Sequence, residues 1–331
     1  MTSQKSAGGG SPFTGLVTRC SRELFTVRIG AEETECRIKG KVLKDAEGYY
    51  NPLAPGDMVE VADGLILGFE KRRNLLARFN QKGQAPQILA ANVDLVLCVA
   101  SLASPPFRPR FLDRLLLQAD AAGIPAAIVC NKYDLAAEGS SAAVSDTDLP
   151  DIEERLSDFE RIGFPVFRLS VASGEGLDDF KRFIAGKFSV LAGQSGVGKS
   201  SIVKALIPDL DIRTGAINMK FNRGNHITTQ SVLLDVGGLE GPGGPTRIID
   251  TPGIRRFALT GILPDEVILH LREFAPLAGK CSYGLSCSHE TEPGCKIMEA
   301  VAAGVIHEDR YESFLRIRGE LAGKQAHPDF D

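Results

Sequence analysis

Residues 193–200, with the sequence GQSGVGKS, constrain the fold of this chain more than any other segment. They match the pattern G-x-x-x-x-G-K-[ST] between an apolar run, FSVLAG, and a helical pattern, SSIVKALI. Glycines allow backbone N–H groups to surround a diphosphate, and the helix N-terminus adds partial positive charge. Lys199 would contact the β- and γ-phosphates, and the Ser200 hydroxyl would hold Mg²⁺. The segment therefore predicts a nucleotide-binding strand, loop and helix.

Strands and helices alternate on both sides of this loop. Predicted strands cover 94–100, 126–130, 166–170, 187–193 and 246–250, and predicted helices cover 110–123, 150–163 and 177–186. Strands 94–100 and 126–130 are apolar runs, as expected for a sheet that is buried on both faces. The pattern predicts an α/β domain with a parallel sheet covered by helices.

A second motif, the sequence NKYD at 131–134, follows the predicted strand 126–130. The Asp134 carboxylate could accept hydrogen bonds from N1–H and the 2-amino group of guanine. Adenine lacks this donor pair and would leave the carboxylate unpaired. Ser170 and Val171 end the next strand, where a backbone N–H could meet guanine O6. Beside a phosphate-binding loop, this motif indicates a guanine nucleotide.

The sequence DTPG at 250–253 ends the strand 246–250. It is compatible with a simple Pro-Gly turn, but its position favours a D-x-x-G switch. Asp250 would then hold Mg²⁺ through water, and the Gly253 N–H would contact the γ-phosphate. These motifs resemble those of translation-factor-related GTPases, although here N-K-x-D precedes the phosphate loop. That order indicates a circular permutation, which can keep the same sheet because only the connections change.

The residue after D-x-x-G is Ile254, which cannot orient an attacking water as a glutamine can. Residues 223–229, RGNHITT, occupy the place of switch I. Thr228 is the predicted second Mg²⁺ ligand, with Thr229 as the alternative. His226 could position the water or could be an ordinary loop histidine. The glycine-rich run 237–244 is typical of a hairpin tip or a switch.

A Cys/His cluster lies near the C-terminal end, in the pattern Cys281-x5-Cys287-x-His289-x5-Cys295. Three thiolates and one imidazole suit a closed tetrahedral Zn²⁺ site, and four protein ligands leave no open position for catalysis. The alternative is a chance cluster of reduced thiols. Zinc would also support a unit with little core of its own.

The flanking segments predict two further domains. Five short strands between residues 13 and 70 indicate a small barrel of the OB type, although their spacing also fits an SH3-like barrel. Helical patterns at 264–274, 296–303 and 307–322 indicate a small helical unit around the cysteines. The expected boundaries are a flexible tail at 1–12, the barrel at 13–75, the nucleotide-binding domain at 85–262 and the helical unit at 263–331.

The chain is slightly acidic, with a net charge of −4, which excludes a uniformly basic nucleic-acid-binding surface. It contains no apolar stretch long enough to cross a membrane and no secretory leader, so we expect a cytoplasmic protein. Local positive charge occurs in the barrel region, at Arg37, Lys39, Lys41, Lys44 and residues 71–73. These side chains could contact RNA phosphates or could form a solvated charged face.

Permuted GTPase motifs, an N-terminal barrel and the segment CSHETEPGC together resemble the ribosome small-subunit-dependent GTPase A family (RsgA, also called YjeQ) from about residue 13 to 322. The resemblance implies GTP hydrolysis stimulated by the small ribosomal subunit, late maturation of that subunit and contact with its rRNA. It also implies GTP or GDP with Mg²⁺ and one structural Zn²⁺. The switch I histidine of the family corresponds to His226, and its hydrophobic residue after D-x-x-G corresponds to Ile254. We expect a monomer.

The predicted site residues follow from these motifs. The nucleotide ligands are Asn131, Lys132, Asp134, Ser170, Val171, Gly193, Gln194, Ser195, Gly196, Val197, Gly198, Lys199, Ser200, Ser201, Thr228, Asp250 and Gly253. Ser200, Thr228 and Asp250 serve Mg²⁺, and His226 is the candidate catalytic residue. Two other functions stay open: a GTP switch for another protein or RNA, and a P-loop kinase or ATPase, which Asp134 disfavours.

Overall fold

The computed structural model describes residues 12–21, 24–40, 48–136, 148–208 and 230–323. Its first five strands form a closed barrel: β1 (Phe13–Cys20), β2 (Phe25–Ile29), β3 (Glu32–Ile38), β4 (Met58–Ala62) and β5 (Leu65–Phe69). Their order is β1-β2-β3-β5-β4, and β4 pairs again with β1 to close it. Alternating residues such as Val17, Val27 and Ile66 fill the interior completely. The expected OB-type barrel is confirmed.

A hairpin that the sequence analysis missed follows the barrel. Its strands, β6 (Leu75–Asn80) and β7 (Ala85–Ala91), form a separate two-stranded sheet. Pro86 lies within β7 and lowers the strand signal there, because proline cannot donate to a sheet hydrogen bond. The Phe79 N–H donates to the Ala258 carbonyl at 2.8 Å, so the hairpin packs against the segment after D-x-x-G.

Among the described residues, six strands form the central sheet: β8 (Leu95–Ser101), β9 (Ala126–Asn131), β10 (Val166–Arg168), β11 (Phe188–Gly193), β12 (Val232–Gly241) and β13 (Gly244–Asp250). Their order is β10-β9-β8-β11-β13-β12; the first five are parallel, and β12 is antiparallel to β13. The glycine-rich run 237–244 therefore lies in the β12–β13 hairpin and includes its tip. One pair, Arg19 with Val232, joins β12 to the barrel.

Helices cover both faces of this sheet, as the apolar strands predicted. The helices α1 (Pro109–Ala121) and α2 (Asp148–Arg161) pack on one face, and α3 (Leu177–Ile184) and α4 (Lys199–Leu206) pack on the other. The alternation of β8 explains the division, because Val96 faces the first layer and Leu97 the second. None of the helices in the described ranges is long and apolar enough to span a membrane.

The C-terminal unit contains less α-helix than the sequence predicted. Residues Pro264–His270 form a 3₁₀ helix, where the sequence predicted a helix over 264–274. Two shorter 3₁₀ turns, Ala275–Leu277 and Gly284–Ser286, precede α5 (Lys296–Ala302) and α6 (Glu308–Leu321). The last two helices agree with the predicted patterns to within a residue or two.

A buried ion network attaches α6 to the central domain. The Arg310 guanidinium, almost fully buried, donates to Asp113 at 2.8 Å and to Glu273 at 2.6 Å. Ser313 Oγ donates to the other Asp113 oxygen at 2.5 Å. Burial alone would lower the pKa of Arg310, but these two carboxylates outweigh it and raise the pKa. The charges are paired, so their burial is tolerated and the position of α6 is fixed.

Candidate nucleotide and metal sites

The predicted nucleotide motifs all follow parallel strands and meet at one edge of the sheet. The N-K-x-D turn follows β9, Ser170 and Val171 follow β10, the phosphate loop follows β11, and D-x-x-G follows β13. Side chains at the carboxyl ends of parallel strands line a common crevice, which is where α/β folds bind ligands. The structure therefore brings these four segments together although they are separated by up to about 120 residues.

The phosphate loop requires its glycines. A Cβ on Gly193 would lie 2.2 Å from the Val99 carbonyl oxygen, and one on Gly198 would lie 2.1 Å from Asn131 Nδ2. Gly198 also has a φ of 97°, which L side chains rarely adopt. Asn131 Nδ2 donates to the Val197 carbonyl at 3.0 Å and so ties the N-K-x-D turn directly to the phosphate loop.

Lys199 lies at the start of α4 with its amine inside the loop. Only 6% of the residue is exposed, and Nζ donates to the carbonyls of Gly193 at 2.9 Å and Gln194 at 2.8 Å. Burial lowers the pKa of Lys199 to about 8, and nearby Asp250 acts in the opposite direction. Phosphate oxygens at this position would favour the charged amine again, which is the role the sequence predicted for Lys199.

The candidate Mg²⁺ side lies between α4 and β13. Ser200 Oγ is 3.2 Å from Asp250 Oδ2, and Asp250 is fully buried. A Cβ on Gly253 would lie 2.6 Å from Ser195 Cα, so the D-x-x-G turn rests directly on the phosphate loop. A hydroxyl and a carboxylate are the oxygen donors that Mg²⁺ prefers, so this pair fits the ion. Ile254 points into the core, only 3% exposed.

Three predicted residues of switch I, His226, Thr228 and Thr229, lie outside the described residues. The same holds for most of the expected tail and for Lys41 and Lys44. Their predicted roles stay predictions.

The candidate guanine site contains a contact that sequence reasoning missed. Asp134 lies on a 3₁₀ turn, and Ser170 Oγ donates to its Oδ1 at 2.5 Å. The sequence indicated a role only for the backbone beside Ser170, yet the fully buried Ser170 hydroxyl orients the Asp134 carboxylate. Val171 N–H donates to Asn131 Oδ1 at 3.4 Å, and Lys132 Nζ contacts the Ser104 carbonyl. The sequence shows a serine at the end of β10, but only the pairing of β10 with β9 places that serine beside the N-K-x-D turn.

The Cys/His cluster forms a compact set of four buried donors. The ligand atoms of Cys281, Cys287, His289 and Cys295 all lie within 4.8 Å of one another. His289 Nδ1 is 3.5 Å from Cys281 Sγ and 3.4 Å from Cys295 Sγ. Burial lowers the pKa of His289, which favours the neutral imidazole that binds metals. The donor set and its spacing fit one metal ion in closed tetrahedral coordination.

The cluster also has hydrogen-bonded support from outside. Lys296 N–H donates to Cys281 Sγ at 3.3 Å, and Tyr311 Oη donates to the His289 carbonyl at 2.6 Å. Such contacts orient metal ligands and stabilise thiolate charge.

The barrel offers less free positive charge than its sequence suggested. Arg72 is largely buried and makes a bidentate pair with Asp57, at 2.7 and 2.9 Å. Arg73 pairs with Asp94 at 2.7 Å. Arg37 and Lys39 are exposed, but Glu33 and Glu35 are exposed on the same strand. Arg72 is therefore a structural residue and is not part of the candidate RNA-binding face.

Comparison with known proteins agrees with this geometry. The model of the RsgA GTPase family matches residues 69–260. Proteins called "Small ribosomal subunit biogenesis GTPase RsgA" are similar over most of their length: one from Chlorobaculum parvum is 33% identical (93% of this chain, 98% of the relative), and one from Gemmatimonas aurantiaca is 37% identical (91% and 94%).

Solved structures show the same fold. The crystal structure of YjeQ from Thermotoga maritima superposes with a TM-score of 0.66 at 27% identity, covering 95% of this chain and all of that one. YloQ, described as a circularly permuted GTPase, gives a TM-score of 0.62 at 23% identity and supports the fold alone. With the family model covering more than half of its length, the chain belongs to the RsgA GTPase family.

Proposed function

We propose that this GTPase acts on the small ribosomal subunit, assists its late maturation and hydrolyses GTP faster when bound to it. The observation that carries the proposal is the meeting of the N-K-x-D turn (131–134) and the phosphate loop (193–200) at one sheet edge. The names of the relatives supply the partner.

Each segment has a role in this proposal. Asp134, held by Ser170, accepts from the guanine edge, and a backbone N–H of the turn after β10 would face O6. Backbone N–H groups of 194–198 and Lys199 bind the phosphates. Ser200 and Asp250 hold Mg²⁺, which supplies charge neutralisation at the β- and γ-phosphates when bound. Gly253 N–H contacts the γ-phosphate, and its place against Ser195 supports that role.

Hydrolysis requires a group that orients the attacking water, and Ile254 is buried and apolar. We assign this task to His226 and the second Mg²⁺ ligand to Thr228, with Thr229 as the alternative. Contact of residues 223–229 with the ribosomal partner would couple hydrolysis to binding of the subunit.

The remaining assignments concern organisation. The four buried donors at 281–295 hold one structural Zn²⁺. The domains are the barrel at 13–75, the GTPase domain at 85–262 and the helical zinc-binding domain at 263–331. The protein is a cytoplasmic monomer that contacts rRNA through its flanking domains.

The test is GTP turnover of the purified protein alone, with small ribosomal subunits and with large subunits. Strong stimulation by small subunits only is the expected result. Equal slow turnover in all three samples would overturn the ribosomal role and leave a GTP switch with another partner. A His226→Ala variant that binds GTP normally but loses the stimulation would place His226 in the mechanism; unchanged stimulation would remove it.

A further inference from the structure

A cleft of about 360 Å³ opens beside the phosphate loop, between α1, the segment after D-x-x-G and α6. Gln194 of the phosphate loop forms part of its wall. Six arginines also line it: Arg108, Arg110, Arg114, Arg255, Arg256 and Arg316. They are separated in sequence by about 200 residues, and only the packing of α6 on α1 brings them together. We call this surface the arginine cleft.

The arginine cleft has more positive than negative charge. Glu312 pairs with Arg110 at 2.8 Å and with Arg316 at 3.5 Å. Glu320 pairs with Arg114 at 2.5 Å and lies 3.9 Å from Arg256. Together with Asp309, three acidic groups face six arginines, which leaves a local excess of three positive charges in a chain with a net charge of −4.

Two of the six arginines have no partner among the residues that the structure describes. Arg108 and Arg255 are both exposed, and neither makes an ion pair or side-chain hydrogen bond within the described part of the chain. Arg108 is also the N-cap residue of α1, whose first turn contains Arg110 and no acidic residue. A helix N-terminus repels cations, so this placement is unfavourable unless an anion lies in front of it.

We propose that the arginine cleft binds the phosphodiester backbone of RNA. Guanidinium groups bind phosphate oxygens in a bidentate fork, and all six cations here are arginines. The guanidinium groups are spread around an open cleft, and Arg108, Arg255 and Arg256 are exposed. A small anion would need several buried donors aimed at one point, whereas a polyanion can engage charges that are spread out.

The proposal rests on the ribosomal function proposed above, and it adds a consequence for regulation. Arg255 and Arg256 follow the D-x-x-G segment directly, and Gln194 belongs to the phosphate loop. RNA in the arginine cleft would therefore touch the segment that contacts the γ-phosphate and the C-terminal helix α6 at once. That position would let bound RNA and bound nucleotide influence each other.

The test measures binding of the full-length protein to a structured RNA oligonucleotide at several salt concentrations. The double variant Arg108→Gln and Arg255→Gln should lower the affinity about tenfold and reduce the slope of log affinity against log salt by about 1.4–1.8. A matched control, Arg182→Gln with Lys204→Gln, removes two exposed positive charges from α3 and α4 on the opposite face of the sheet. The control should change neither quantity, and the melting temperature of both variants should stay near that of the wild type.

A second variant has the opposite expected sign. Glu312→Gln removes the acidic partner of Arg110 and one negative charge from the cleft, so it should tighten RNA binding and steepen the salt dependence. Equal effects of the double variant and its control, or no tightening with Glu312→Gln, would overturn the proposal. A variant that loses affinity for inorganic phosphate but keeps the RNA slope would identify a small-anion site instead.

These outcomes are separate from the fate of the ribosomal function. A reduced salt slope without subunit-stimulated GTP turnover would keep the arginine cleft and reject the ribosomal role. If small subunits stimulate GTP turnover of the wild type but the salt slope of the double variant is unchanged, the ribosomal role stands and the arginine cleft is rejected.

Discussion

The nucleotide edge and the Cys/His cluster are built in opposite ways. The nucleotide edge collects segments 131–134, 170–171, 193–200 and 250–253 from the ends of four strands, and a sheet buried on both faces holds them. The Cys/His cluster takes all four donors from the single segment 281–295, which contains a short 3₁₀ turn and ends at the N-cap residue of α5.

The difference teaches what holds each site in place. Strand pairing and a large apolar core fix the nucleotide edge before any ligand binds, so its geometry depends little on the ligand. Three thiols and an imidazole packed within 4.8 Å lie in a segment without strand pairing, and a metal ion would supply bonds between them. We therefore expect the first site to tolerate loss of its ligand and the second to depend on it.

The largest effect is expected from breaking the Cys/His cluster. Cys281→Ser should remove the bound metal and melt the C-terminal unit, because structural zinc sites contribute about 10–16 kcal/mol at pH 7. GTP affinity at low temperature should fall far less. Metal content per protein and a thermal melt check this, with Cys36→Ser in the barrel core as the matched control. One full equivalent of metal in the Cys281→Ser protein would contradict the assignment.

The next effect concerns the base. Asp134→Asn places an amide donor against the guanine donors, so the preference for GTP over ATP should fall by about 10⁴-fold. Competition binding with the two nucleotides measures it, and Asp151→Asn, exposed on α2, is the control. The melting temperature should hardly change, since the sheet keeps the turn in place. Undiminished preference for GTP would show that Asp134 does not contact the base.

A smaller loss is expected at the phosphates. Lys199→Ala removes a charge that would pair with phosphate in a buried site, which should weaken GTP binding about 10²–10³-fold. Stability should not fall, because burial disfavours this amine in the ligand-free protein. Lys204→Ala, exposed on the same helix, is the control. Titration calorimetry and melting curves of both variants give the comparison, and a matched loss in both would contradict the role.

The smallest effect is a pH dependence. The pKa of Lys199 is about 8 in the ligand-free protein because of burial, and bound phosphates would raise it. GTP affinity should therefore fall as pH rises above 8, by up to about tenfold per unit, with proton uptake on binding. The contribution of Lys199 to folding stability should instead rise with pH between about 8 and 10.5. The reason is that its folded pKa lies below the unfolded value of 10.5, so the unfolded chain binds more protons in this range. Affinity that stays constant from pH 7 to 9.5 would contradict this account.

The sequence predicted the barrel strands and the five parallel strands of the central sheet because of their apolar residues and turn signals, but it did not predict the antiparallel strand β12. It failed where local preference and packing disagree. Pro86 lowered the strand signal of β7, and residues 264–274 have helical spacing although only Pro264–His270 form a helix, of the 3₁₀ type. The sequence suggested that Arg72 is an exposed surface charge, yet in the structure it is largely buried by its ion pair with Asp57.

The sequence by itself determined the chemistry: a phosphate-binding loop, a carboxylate suited to guanine, their permuted order and four metal donors within 15 residues. The loop, the carboxylate and the metal donors each lie in one short segment, so their residue types and spacing can be recognised without the fold. Only the tertiary structure decided the contacts across the sheet edge, the hydrogen bond from Ser170 to Asp134 and the arginine cleft. Those depend on which strands and helices become neighbours, and burial of the shared apolar core sets that order over separations of up to about 200 residues.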